Sequence, residues 1–169
     1  MFRLTFAFFF FLFFSISHSY SSDKIHFIDL DELIAKSKLG SSIVTNLNTM
    51  NSKNIEQLKL KEKEIKQKEN ELQTKRNIIS KDEFEKELKN LNSKVNLFKK
   101  QKDEMVKKFK VTQNEKIKDF FNKINPLIQN YMDENSITIL LDRKNVFIGK
   151  ETKDITNDVI LLIDKTFNN

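Results

Sequence analysis

The sequence contains no cysteine, one proline and only two glycines. Without cysteine, the chain can form no disulfide framework, thiol nucleophile or thiolate metal site. Gly40 and Gly149 alone cannot build a glycine-rich phosphate loop. The rest of the chain is rich in Lys, Glu, Asn, Leu and Ile, a composition typical of long helices. Stability must therefore come from packing or association.

The N-terminus has the pattern of an export signal. Arg3 supplies a short positive region, residues 4–14 form an apolar run, and serines follow. A membrane-spanning helix needs about 20 apolar residues, so this run is too short. We predict a signal peptide over residues 1–21, cleaved before Tyr20 or before Ser22, and an extracytoplasmic mature protein. An uncleaved N-terminal anchor is the alternative interpretation.

Residues suited to catalysis are almost absent after signal removal. His26 is then the only histidine, and it lies in a predicted strand, where it is interpreted as a partly exposed strand residue. The carboxylates of the helical region are spaced as salt-bridge partners along a helix and not as convergent acid and base pairs. We expect no enzyme activity, no catalytic residue, no metal site and no cofactor.

The first long helix is predicted from about Leu39 to Arg76, where nothing breaks a helix. Leu58, Ile65 and Leu72 repeat every seven residues in it. The intervening seam positions are charged, namely Glu62, Glu69 and Arg76. This helix therefore offers one apolar residue per heptad where a stable coiled coil has two.

A second long helix is predicted to begin at Ser80, which can act as N-cap with Glu83 closing a capping box. A heptad seam follows at Phe84, Leu88, Leu91, Val95 and Phe98. The helix extends to about Asp133 and would be about 80 Å long. Because the turn near residues 77–80 is short, the two helices must form an antiparallel hairpin arm over residues 39–133. Pro126 predicts a kink near its base.

Residues 22–38 and 134–169 are predicted to form a small β-containing body, which gives an α+β fold that is predominantly α. Strands are expected over residues 24–28, 137–141 and 146–148, and Asp29 and Asp154 can each cap a helix. Three short strands leave open sheet edges around a marginal core. We therefore expect a closed oligomer in which the sheets of neighbouring chains join. Its candidate residues are Ile25, Phe27, Ile137, Ile139, Leu141 and Val159.

Charge separates the arm from the body. Residues 51–123 carry 21 Lys and Arg against 13 Asp and Glu, a balance of +8. Residues 23–50 and 124–169 together carry 8 against 11, a balance of −3. The arm is interpreted either as a surface for acidic partners and anionic headgroups or as a solvated helix face in a lysine-rich organism. The candidate contacts are Lys94, Lys99, Lys100, Lys107, Lys108, Lys110, Phe98, Met105 and Phe109.

Both ends of the mature chain are similar to the Skp/OmpH family of periplasmic chaperones. The segments that carry this resemblance are Asp23-Lys-Ile-His-Phe-Ile28, the strand Ile137 to Asp142, and Lys153-Asp-Ile-Thr-Asn-Asp-Val159. Between them the resemblance is one of architecture. It implies a periplasmic homotrimer with a central β-barrel and three hairpin arms that enclose a cavity. Three strands per chain fit a trimer and are also compatible with a dimer.

The resemblance further implies an ATP-independent holdase that binds unfolded outer-membrane proteins between its arms. Anionic lipid or lipopolysaccharide is an additional candidate partner, although no position matches a family lipopolysaccharide site. The alternative is a structural or adaptor coiled-coil protein of the envelope that binds one defined partner. Nucleic acid is not expected, because lysine dominates over arginine and no docking motif is present.

Overall fold

The structure is a computed structural model, and it describes residues 24–167. The predicted signal peptide, residues 1–21, lies outside the described residues. The described chain begins with strand β1 (Ile25–Ile28), helix α1 (Leu30–Lys36) and helix α2 (Lys38–Lys75). It continues with helix α3 (Lys81–Glu134), strand β2 (Ile139–Asp142) and helix α4 (Thr156–Thr166). Two 3₁₀ turns, Arg143–Asn145 and Glu151–Lys153, lie between β2 and α4.

Helices α2 and α3 form the predicted antiparallel hairpin. Ser80 is the N-cap of α3, and its hydroxyl accepts the Glu83 N–H at 3.3 Å. This confirms the predicted helix start. At 1.5 Å per residue, the 54 residues of α3 extend for about 80 Å. Helix α3 runs through Pro126 without ending, so the proline does not separate it into two helices.

The corner between α1 and α2 is built by a buried serine. Asp29 caps α1 as predicted, since its carboxylate accepts the Glu32 N–H. At the other end, the Ser37 hydroxyl donates to the Leu33 carbonyl (2.6 Å) and accepts the Gly40 N–H (3.1 Å). Ser37 is fully buried. It thereby ends one helix and caps the next.

The core lies where the base of the hairpin meets α1 and α4. Its buried side chains are Ile28, Leu33, Phe120, Ile124, Ile137, Ile155, Val159, Ile160 and Ile163. Phe120 and Ile124 belong to α3, so the base of the arm supplies part of the core. Val159, Ile160 and Ile163 of α4 and its N-cap residue Ile155 are buried, whereas Leu162 is only partly buried.

The strand prediction requires one correction. β1 and β2 pair in parallel, with Ile25 opposite Ile139 and Ile28 opposite Asp142. No strand forms over residues 146–148 in the described chain, so two of the three predicted strands are present. A strand needs a neighbouring strand for its backbone hydrogen bonds. In the described chain, the backbone hydrogen bond of this segment is the turn contact from the Val146 N–H to the Arg143 carbonyl.

Candidate functional site

The seam between α2 and α3 is well packed near its two ends and poorly packed in its middle. Leu72 and Leu91 are buried near the tip, and Leu47 is buried nearer the body. On α2, no described side chain between Leu47 and Leu72 is fully buried. On α3, none between Leu91 and Phe120 is fully buried. The intervening α3 seam residues are only partly buried, namely Val95, Phe98, Met105 and Phe109. The middle of the arm therefore has little apolar packing to stabilise one geometry.

A polar pair occupies the middle of this seam. Lys61 Nζ donates to Gln101 Oε1 across the two helices at 2.5 Å, and both residues are partly buried. Glu62 was predicted to lie in the seam, but its side chain is exposed. That assignment is wrong by one residue because a heptad seam alternates steps of three and four residues, and the step after Leu58 is three residues and not four. The prediction of a charged layer in this part of α2 holds with Lys61 in place of Glu62.

Two adjoining depressions lie between α2 and α3 and share Lys68 and Lys94; we call them together the arm cleft. The half nearer the tip is lined by Lys68, Glu71, Leu72, Lys75, Glu87, Asn90, Leu91 and Lys94. The half nearer the body is lined by Lys61, Glu64, Ile65, Lys68, Lys94, Leu97, Phe98 and Gln101. The arm cleft joins apolar side chains to a lysine-rich rim. Apart from Lys94 and Phe98, its residues were not among the predicted contacts.

Further apolar side chains of the arm are exposed. On α3, Leu97, Val106 and Val111 are each about half exposed, and on α2 the same holds for Ile55 and Leu60. Scattered exposed apolar residues are ordinary on a protein surface. Here they lie on helices that also carry most of the positive charge. The arm therefore presents apolar and cationic groups side by side.

The predicted lysines of α3 do not form one patch. Lys94, Lys99, Lys100, Lys107, Lys108 and Lys110 are all exposed. Successive residues on a helix are separated by about 100°, so these side chains point in different directions around α3. Lys100 also lies 3.9 Å from Glu104. Of the predicted lysines, only Lys94 lines the arm cleft.

The strand pair has one face against the core and one open face. Ile28 belongs to the core, and Leu140 packs against the core. Because successive strand residues point to opposite faces of a sheet, the residues next to these two point away from the core. On that other face, Ile25, Ile139 and Leu141 are 45%, 44% and 40% exposed. We call these three residues the open sheet face. The remaining residues predicted for the oligomerisation body, Phe27, Ile137 and Val159, are buried within the chain itself.

The loop after β2 folds over Phe27. The Arg143 guanidinium lies 5.7 Å from the centroid of the Phe27 ring and forms an ion pair with Asp154. Gly149 lies so close to the ring that an added Cβ would approach Phe27 Cε1 to 2.6 Å. Between these contacts, Phe147 and Ile148 are 103% and 87% exposed. Two adjacent large apolar residues are thus fully displayed beside the open sheet face.

Ionic contacts fix this loop to the body. Burial alone would raise the pKa of Asp154, but hydrogen bonds from Thr156 and the charge of Arg143 outweigh it, so the pKa is lowered. The Asp154 carboxylate accepts the Thr156 N–H, the first N–H of α4, at 2.9 Å. Asp154 was predicted to cap this helix, and it does so from the position before the N-cap residue, Ile155. Lys144 lies 2.7 Å from Asp31, and this hydrogen bond raises the pKa of the lysine.

Residues 24–167 contain no cluster of His, Asp or Glu placed to hold a metal ion. His26 is partly buried in β1, and its Nδ1 has no hydrogen-bond partner among these residues. Tyr131 donates to Asp158 at 2.9 Å, and burial followed by this contact raises its pKa. None of the described helices has the length and apolar character needed to cross a membrane.

Comparison with known proteins identifies relatives by sequence and by fold. A family model described as outer membrane protein (OmpH-like) matches residues 24–162. A crystal structure from Caulobacter crescentus CB15, described with the words "outer membrane chaperone (OmpH-like)", superposes with a TM-score of 0.78 at 19% sequence identity. The match covers 86% of each chain. No curated protein matches the sequence.

Proposed function

Because this chain belongs to the OmpH-like outer membrane protein family, we propose that it is an ATP-independent holdase chaperone of the periplasm. It binds unfolded outer-membrane proteins between its helical arms and prevents their aggregation. The family assignment and the chaperone-like fold support this role. The proposal also takes residues 1–21 as a cleaved signal peptide and the mature chain as a non-enzymatic protein.

The observation that carries the proposal is the surface of the arm. Exposed apolar residues such as Leu97 and Val106 lie among exposed lysines on a hairpin whose seam is incompletely packed. An unfolded outer-membrane protein offers dispersed apolar and acidic side chains, and such a surface can make many weak contacts without sequence preference. A thin seam allows the helices to adjust to different chains. No nucleotide or cofactor is needed for such binding.

We further propose that the protein acts as a homotrimer. The open sheet face and the exposed pair Phe147 and Ile148 are apolar surfaces that a second copy would cover. The outer edge of β2 has no partner strand in the described chain, and residues 146–148 are free to pair with a neighbouring copy. A closed ring of three bodies would bury these surfaces and place three arms around one cavity.

The lysines of α3 suggest anionic lipid or lipopolysaccharide as a secondary partner. Their distribution around the helix favours loose, salt-sensitive attraction to an anionic surface over a defined headgroup site. Clients that carry acidic side chains are attracted by the same charges. Lipid binding is therefore secondary to client binding in this proposal.

The test is aggregation of a urea-unfolded outer-membrane protein diluted into buffer with the mature protein, residues 22–169, without nucleotide. We expect light scattering to be suppressed near one trimer per client, and a discrete soluble complex in a mass measurement. Bovine serum albumin at equal mass controls for nonspecific protection. A protein that leaves every such client to aggregate would contradict the holdase proposal and favour the envelope adaptor that binds one partner.

A further inference from the structure

The half of the arm cleft nearer the body combines an apolar floor with a cationic rim. Its floor is formed by Ile65, Leu97 and Phe98. Leu97 is half exposed, so a bound group can reach it without any rearrangement of the seam. The rim carries three lysines, Lys61, Lys68 and Lys94, and a single carboxylate, Glu64. The charge of this half of the cleft is thus +2.

The two lysines shared by both halves are available to a ligand. Lys61 is engaged with Gln101, but Lys68 and Lys94 form no ion pair within residues 24–167. Both are exposed, and they come from the two facing helices. A carboxylate placed over the floor would therefore meet cationic groups from both sides. Charge complementarity points to an acidic ligand.

The extent of the apolar floor limits what that ligand can be. In the half nearer the tip, Leu72 and Leu91 are buried and offer almost no accessible apolar area. The accessible floor is thus limited to Ile65, Leu97 and Phe98, an area for about one ligand side chain, whereas a lipid acyl chain needs a longer continuous apolar path. The amide side chains of Asn90 and Gln101 border the cleft and can hydrogen-bond to a peptide backbone. A peptide segment fits these features better than a lipid.

We propose that the arm cleft binds short extended segments of unfolded polypeptide in which one aromatic or aliphatic side chain is flanked by carboxylates. The inference rests on the proposed holdase function and specifies where on the arm, and to which chemistry, a client binds. From Lys61 to Lys75 the cleft extends about 20 Å along α2, enough for about six extended residues. Clients would be held first at such segments.

The test uses the full mature protein and three fluorescent eight-residue peptides. The first carries phenylalanine between two aspartates, the second replaces both aspartates with asparagine, and the third replaces the phenylalanine with serine. We compare wild type with Lys68→Gln/Lys94→Gln. The matched control is Lys63→Gln/Lys89→Gln, which removes the same charge from exposed arm positions outside the cleft. Fluorescence anisotropy gives each dissociation constant.

We expect the first peptide to bind most tightly and the Lys68→Gln/Lys94→Gln variant to weaken it about fivefold to tenfold, with a change below twofold in the control. Equal weakening by both double variants would overturn the proposal, since charge alone and not the cleft would then decide binding. So would equal affinity for all three peptides. Aggregation suppression by wild type, measured in parallel, separates failure of this inference from failure of the holdase function.

Vesicles containing anionic lipid provide the competing occupant. If the cleft variant loses affinity for such vesicles while its peptide affinity stays at the wild-type value, the cleft holds lipid headgroups and the peptide proposal is wrong. We expect the opposite pattern, with vesicle binding reduced alike in both double variants. Circular dichroism of each variant checks that the hairpin is intact.

Discussion

At the scale of single residues, Gly40 determines how closely the corner between α1 and α2 can pack. A Cβ built on Gly40 would approach the Ile34 carbonyl oxygen to 2.3 Å and the Ile34 Cα to 2.7 Å. Both are backbone atoms, so the contact cannot be relieved by a rotamer change. The N–H of the same glycine donates to the buried Ser37 hydroxyl. The direction in which the arm leaves the body depends on this contact.

We predict that Gly40→Ala destabilises the protein by about 1–3 kcal/mol. In an ordinary helix interior the same change stabilises by about 1 kcal/mol, because alanine has the higher helix propensity. Urea unfolding measures the difference. Ser42→Ala, two residues on at an exposed position of α2, is the control and should be neutral or slightly stabilising. A more stable Gly40→Ala variant would show that the close approach to Ile34 is absent.

Asp154 gives the body a defined acid sensitivity. Its pKa lies below the ordinary value of 3.8 because hydrogen bonds from Thr156 and the charge of Arg143 outweigh the effect of burial. A carboxyl group with a lowered folded-state pKa stabilises the fold above its unfolded pKa. It loses that contribution as pH falls through the folded value. The loss therefore begins below about pH 4 and not near neutrality.

We predict that Asp154→Asn lowers the free energy of unfolding by about 1 kcal/mol at pH 7. The difference from wild type should shrink as the pH is lowered below 4, because the wild-type carboxylate becomes neutral as well. Asp103→Asn on the exposed arm controls for the loss of one negative charge. Urea titrations at several pH values provide the measurement, and a deficit that is constant with pH would refute the electrostatic explanation.

At the scale of elements, the arm joins two well-packed ends through a weakly packed middle. Leu72 and Leu91 are buried near the tip, and Phe120 is buried at the base. The Lys61–Gln101 pair occupies the middle, where a stable coiled coil would have apolar residues. Low packing density lets a segment open locally at small free-energy cost. The middle of the arm is therefore the part expected to adapt to a bound chain.

Filling that layer should stiffen the arm. We predict that Lys61→Leu/Gln101→Leu slows amide hydrogen exchange in residues 55–68 and 95–108 about tenfold, because replacing a partly buried polar pair with apolar residues is often stabilising. Lys63→Leu, at an exposed position of α2, is the control and should leave exchange unchanged. Unchanged exchange in the double variant would mean that the middle of the seam is already as stable as its ends.

At the scale of the whole molecule, one chain leaves apolar surface that its own fold does not cover. The open sheet face, Phe147 and Ile148 are all exposed, and Gly149, the next residue, lies against the Phe27 ring of β1. The parallel pair of four-residue strands is also too small to be stable as an isolated sheet. The proposed trimer would cover this surface and give the strands further partners.

We predict that Phe147→Asp weakens self-association at least tenfold, measured by sedimentation equilibrium of the mature protein. Leu161→Asp is the matched control, since Leu161 is also an exposed apolar residue but lies on α4. Because assembly stabilises the fold by mass action, the melting temperature of wild type should also rise with protein concentration. Equal mass for both variants and wild type would place the interface elsewhere.

The sequence by itself determined the helical hairpin, its turn and its caps. Ser80 and Asp29 act through hydrogen bonds to N–H groups three residues away, and the apolar repeat of α3 selects one helix face. Such interactions are local, so they can be predicted from spacing. Short segments at both ends of the mature chain likewise carried the family resemblance, and the family model confirms it.

Only the tertiary structure decided which apolar residues are buried and which positions meet across the arm. Phe27 and Val159 were predicted to take part in oligomerisation, yet both are buried within one chain. Phe27 is covered by Arg143 and Gly149, and Val159 packs in the core with Phe120 and Ile124. The arm cleft depends on the register between antiparallel helices, which brings Lys68 opposite Lys94. Residues 146–148 have the composition of a strand but lack a partner, because strand formation requires hydrogen bonds that another segment must supply.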